Sequence, residues 1–197
     1  MALAVASPDA RADGGPFGID HRVTVQDNGL WKRRNQLLLA EVVPVAIAAG
    51  ALWEGDGNRL GHTFWQSVDS VVIGAGTSEG LKRIFGRARP SQTDDPNQWF
   101  KGSRFKSFPS GEVMEVTTAV TPFVLEYGAE HPAVYALELL PVYDAFARVK
   151  AGAHWQSDVL ASLLIGTGIG AYAHGRANAL SVGLLPHGLT VGWKKSF

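Results

Sequence analysis

From Asn35 to His174, clusters of Gly, Pro and Asp cut the chain into apolar stretches of helical length, and this segmentation restricts it to a helical fold. Asn35–Trp53 reads as one long helix, stopped by the Glu54-Gly55-Asp56-Gly57 turn. Leu60–Gly86 carries Phe64, Val68, Val71, Val72, Leu81 and Phe85 at helical spacing. Pro90 closes that region, because the residue before a proline disfavours the helical conformation. Pro109-Ser110-Gly111 opens a helix to about Tyr127, and Pro132 opens another through about Val149, with Pro141 as an expected kink. His154–His174 forms the last. The tail, LSVGLLPHGLTVGW, alternates about a Pro-His-Gly turn and reads as a hairpin. The expected fold is all-α: a single-domain bundle of five to six helices over 19–197, with a small C-terminal β-hairpin.

Residues 1–18 read as a leader, either the remnant of an export signal or a segment without fixed structure. Ser7 to Asp20, rich in Gly, Pro and Asp, is expected to be poorly ordered. Lys+Arg and Asp+Glu both total 18, which argues against a nucleic-acid partner, since such proteins carry a basic excess. The chain has no cysteine, so disulfides, zinc–thiolate sites and thiol catalysis are excluded. Gln36–Trp53 approaches the length of a membrane span, but Glu41 and Pro44 interrupt it. It is read as a buried helix of a soluble domain, with a membrane surface kept as a partner.

Three polar clusters carry the chemistry. Lys82 and Arg89 stand seven residues apart, close to two helical turns, and are expected on one face of one helix as a clamp for a dianion. Phe108-Pro109-Ser110-Gly111-Glu112 places Ser110 as a helix cap and lets a ligand approach the Gly111 backbone, where helix N–H groups favour an anion. Arg148 precedes His154 and Asp158, which are four apart and are expected to touch on one helix face. A carboxylate on one imidazole nitrogen would make the other a better nucleophile. A long polar loop, Ser91–Ser107, lies between the first two clusters.

In order and spacing, the three clusters resemble the type 2 phosphatidic acid phosphatase superfamily, which also holds bacterial acid phosphatases and vanadium haloperoxidases. The family pattern is K-x6-R-P, P-S-G-H and S-R-x5-H-x3-D. Lys82, Arg89 and Pro90 match the first part; Pro109, Ser110 and Gly111 the second; Arg148, His154 and Asp158 the third, with Ala147 in place of Ser. The resemblance implies a metal-independent phosphomonoesterase without cofactor. Lys82, Arg89, Ser110, Gly111 and Arg148 would hold the phosphoryl group of a small-molecule or lipid phosphate. His154 would attack phosphorus to form a phosphohistidine, and Asp158 would orient it. It also implies a periplasmic or membrane-associated location.

The departure is Glu112, where the family has a His that protonates the leaving oxygen. Glu112 is expected to serve as substitute acid, or only to organise the pocket while Glu115 or water serves, or to mark a site with little turnover. The rival functions are a non-catalytic binder of phosphate or lipid headgroups and a vanadate-dependent haloperoxidase. His21, His62, His131, His174 and His187 show no ligand-like spacing.

Overall fold

The computed structural model describes residues 14–176 and two backbone segments beyond them, Ser181–Leu185 and Gly188–Gly192. Among the described residues five α-helices follow one another: α1 Arg33–Glu54, α2 Arg59–Phe85, α3 Gly111–Tyr127, α4 Leu139–Lys150 and α5 Gln156–His174. The all-α reading holds. The two segments after 176 pair antiparallel. The rest of the expected hairpin, His187 and the 186–187 turn included, lies outside the described residues, so the fold class rests on the helices.

Helix ends are set by local chemistry. The Asn58 side chain accepts from Gly61 N–H at 2.8 Å and caps α2. Gly86 ends α2 in the left-handed region (φ 45°, ψ 47°), which glycine adopts without Cβ strain. The helix expected through Pro132–Val149 is instead a 3-10 run, Pro132–Glu138, followed by α4. Pro141 sits in the first turn of α4, where its missing N–H costs no helical bond, and it therefore causes no mid-helix kink.

Helix α3 is the axis of the bundle. Val113, Met114, Val116, Ala119 and Val120 are buried along it, and α1, α2, α4 and α5 pack around it. The neighbours come close because they present glycine. A Cβ at Gly74 of α2 would meet Thr118 at 2.8 Å, and Cβ atoms at Gly166 and Gly170 of α5 would meet Thr117 and Thr121 at 2.8 and 2.5 Å. Thr117, Thr118 and Thr121 return their hydroxyls to backbone carbonyls of α3.

Two expectations fail at the front of the chain. Helix α1 is not a buried helix: Gln36 and Ala51 are its buried residues, whereas Val42, Val45, Leu52 and Trp53 are exposed. Asp20, assigned to a poorly ordered lead-in, is buried and hydrogen-bonded to Arg87 and Ser157.

Candidate active site

The loop between α2 and α3 and the turn before α5 meet at one buried carboxylate. Asp158 lies in the first turn of α5, fully buried. It accepts hydrogen bonds from Arg87 Nη1 at 2.5 Å, Ser107 Oγ at 2.6 Å and the Trp155 N–H at 2.9 Å. Arg87 is equally buried and bridges Asp158 to Asp20, whose Oδ2 it reaches at 2.5 Å. Asp20 also accepts from the Ser157 N–H and hydroxyl, both at 2.7 Å. Two anions thus sit on the amide-rich start of α5, where the helix dipole favours them. Trp99 covers the Arg87 guanidinium at 4.2 Å, and Trp155 Nε1 donates to the Ala88 carbonyl at 2.9 Å.

His154 hangs from this frame. It precedes α5 rather than lying on it, so His154 and Asp158 do not share a helix face as expected. Its Nδ1 is 2.6 Å from the Ser107 carbonyl oxygen and 3.8 Å from Asp158 Oδ2. A carbonyl can only accept, so Nδ1 carries the proton and Nε2 keeps a free lone pair. Asp158 Oδ2 accepts from the hydroxyl of the same Ser107, so His154 and Asp158 meet at one residue of the loop. Burial drives the His154 pKa down to about 4; the Asp158 carboxylate opposes this, and Arg148 and Arg89 add to it. The imidazole is neutral at physiological pH.

The expected cations converge, although not from one helix face. Lys82 is on α2, but α2 stops at Phe85 and Arg89 lies beyond it in the loop. Lys82 Nζ donates to Ser78 Oγ at 2.9 Å. It rests against the start of α3, where a Cβ on Gly111 would meet Nζ at 2.5 Å. Glycine at 111 is what lets the ammonium reach that backbone. Arg89 Nη2 donates to the Lys106 carbonyl at 3.3 Å, and its charge acts on His154, Lys82 and Arg148. Burial lowers the pKa of Lys82, with Arg89 and Lys106 adding to the shift. Arg148, near the end of α4, is 4 % exposed and donates to Gln36 Oε1 at 2.9 Å.

Ser110 is the residue before α3, but its hydroxyl caps nothing: the buried Oγ has no partner.

Glu112, in the first turn of α3, is gripped by Arg33 of α1. Nη1 reaches Oε2 at 2.5 Å and Nη2 reaches Oε1 at 2.7 Å, and Arg148 Nη1 stands 3.5 Å from Oε2. Burial alone would raise the Glu112 pKa. The Arg33 hydrogen bonds and the Arg148 charge outweigh it, and the carboxyl is held below its ordinary range. No sequence motif marks Arg33, Gln36, Arg87, Ser107, Asp20 or Asp144 as residues of the site. Gln36 accepts from both Arg33 (3.3 Å) and Arg148 (2.9 Å). Asp144 lies one turn before Arg148, 1 % exposed, and neither carboxyl oxygen has a partner. Burial and the Glu112 charge push its pKa up to about 7. The i,i+4 spacing of Asp144 and Arg148 is the one local signal that could have found it.

Comparison with known proteins identifies the family. The family model described as the PAP2 superfamily matches residues 63–179. Lipid A 1-phosphatase from Rhizobium johnstonii is 35% identical over 102 residues, covering 49% of this chain and 41% of the relative. Lipid A 1-phosphatase from Rhizobium etli is 34% identical over 102 residues, covering 49% of this chain and 43% of the relative. The matched region thus spans about two fifths of each relative's length. No solved structure gives a significant match. The family match covers more than half of the sequence and contains every one of the three clusters, so the chain belongs to the PAP2 superfamily.

Proposed function

We propose that the chain is a metal-independent phosphomonoesterase acting on a phosphorylated lipid, through a phosphohistidine on His154. The observation that carries this reading is the state of His154: buried, neutral, with Nδ1–H spent on the Ser107 carbonyl and the Nε2 lone pair left over. Lys82, Arg89, Arg148, the Ser110 hydroxyl and the start of α3 at Gly111 supply the positive potential that a phosphoryl group needs. Phosphoryl transfer asks mainly for positioning and for fixed positive charge around the equatorial oxygens, and guanidinium groups and amides meet that demand. In-line attack by Nε2 then splits hydrolysis into two easier steps. Asp158 keeps the imidazole aimed by fixing Ser107. The lipid class of substrate follows the two relatives, whose name places their phosphate on lipid A. The exposed apolar face of α1 supports work at a membrane surface, and a periplasmic membrane face suits the same substrate.

A second reading is a non-catalytic binder of phosphate or lipid headgroups. Glu112 favours it, because a carboxylate clamped by Arg33 does not act as the proton donor expected at that position. Trapping in denaturant at alkaline pH, with an ester whose phosphorus is radiolabelled, decides between the two. A labelled, acid-labile and alkali-stable protein adduct, absent in His154→Ala, is the result expected of the phosphatase. Saturable phosphate binding with no adduct and no phosphate release would instead establish the binder.

A further inference from the structure

We infer that Arg33, positioned by Glu112, stabilises the departing oxygen electrostatically in place of a proton donor, and that the site therefore favours phosphates on oxygens of low proton affinity. The inference rests on the phosphatase reading and deepens it. What the inference separates is esters whose leaving oxygen tolerates negative charge from phosphates of ordinary alcohols.

The placement comes from burial and shared partners. His154 and Arg148 form the floor of the site, with side chains 3 % and 5 % exposed. Arg33 and Glu112 stand at the open side, with side chains 38 % and 23 % exposed. In-line displacement puts the leaving oxygen opposite the attacking nitrogen, hence toward the opening. Gln36 Oε1 accepts from both guanidiniums, so Arg33 is tied to the Arg148 end of the cradle. Glu112 holds Arg33 through two parallel hydrogen bonds, which fix the plane of the guanidinium as a single bond would not. With both oxygens engaged by a cation, Glu112 offers no proton to the leaving group.

The step balances without an acid. The bond from Nε2 to phosphorus forms as the bond from phosphorus to the leaving oxygen breaks. The bonding pair stays on that oxygen, which departs as an anion beside Arg33 and takes its proton from water afterwards. Such a step is fast when the oxygen tolerates negative charge and slow when it does not. A positioned general acid is commonly worth about 10²–10⁴-fold, and that factor is what an unactivated alcohol lacks here.

The test is a leaving-group series on the full chain: p-nitrophenyl phosphate, a sugar 1-phosphate, an alkyl diphosphate and a primary alkyl phosphate. The wild type is expected to turn over the first three with kcat/KM at least about 10²-fold above the last. Arg33→Met should steepen this dependence, since poorer leaving groups have more charge to stabilise, and Arg33→Lys should recover part of it. Glu112→His should flatten it. A merely structural loss lowers all substrates together and leaves the slope alone. Wild-type rates within about tenfold across the series, with activity still dependent on His154, overturn this inference and leave the phosphatase reading standing. No turnover of any substrate takes both down.

Discussion

Asp144 shows how a single buried side chain can set a pH dependence. Its carboxyl is buried without a hydrogen-bond partner, and its surroundings mix two anions, Glu112 and Glu115, with two cations, Arg33 and Arg148. The fold favours its protonated form, with a pKa of about 7. Stability from this group is full below the ordinary aspartate value near ~4, falls as pH rises, and is gone above about 7; the whole window spans on the order of 4 kcal/mol. His154 acts with the opposite slope, since its lowered pKa makes the fold lose stability as pH falls toward about 4. Comparing Asp144→Asn with wild type cancels the histidine contribution. The asparagine chain should gain thermal stability relative to wild type at pH 8 and not at pH 4, and parallel melting profiles would reject the assignment. At the same scale, the neutral state of His154 predicts that its protonation limits kcat/KM only near pH 4. An acid limb near pH 6.5 that disappears in a variant retaining His154 would point to another group.

At the scale of elements, the loop between α2 and α3 is fastened to the start of α5 by Arg87, which joins Asp20, Ser157, Asp158 and the Pro96 carbonyl. Arg87→Met leaves Asp20 and Asp158 buried without their cation, and loss of a buried partner costs about 3–5 kcal/mol. Urea unfolding should show that loss, and Arg87→Lys should not restore it, because one ammonium cannot span acceptors on three segments. A midpoint within error of wild type for Arg87→Met would refute the fastening role. This fastening also explains what the sequence could and could not tell. Lys82, Arg89, Arg148, His154 and Asp158 were legible because their spacing is local. Their placement on shared helix faces was misjudged because Gly86 ends α2 early and His154 precedes α5. Local periodicity does not report where a left-handed glycine stops a helix. Arg33 was illegible for a different reason: its partner Glu112 is 79 residues away, on another helix. No spacing rule reaches across a tertiary contact.

The molecule as a whole reverses the distribution usual for a water-soluble bundle. Its interior is rich in polar and small residues: Thr63, Gln66, Ser67, Asp69 and Ser70 of α2 are buried, and glycines of α2 and α5 lie against threonines of α3. Its exterior carries Leu38, Val42, Val45, Leu52 and Trp53 on α1, with Phe146 on α4 and Leu164 on α5, all largely exposed. Close helix approach through small residues replaces the hydrophobic driving force where the surroundings are themselves apolar. Helix α1, 22 residues long with a mean hydropathy of 1.7 in its most apolar window, meets the length and composition needed to cross a membrane. Exposed apolar side chains on three helices fit the membrane face proposed above. The expected outcome is co-flotation of the chain with phospholipid vesicles, and aggregation when detergent is withdrawn. Val42→Glu with Val45→Glu tests the face directly, because both side chains are exposed and neither supports the buried core. The double variant should keep its helical content in detergent yet float with vesicles far less, since each charge opposes burial in lipid. Equal flotation of variant and wild type would mean that α1 meets something other than lipid. Monodisperse wild-type protein without detergent would mean that this face stands in water. Either result would separate the phosphate chemistry, which depends on the polar interior, from the lipid surface proposed to bring substrate to it.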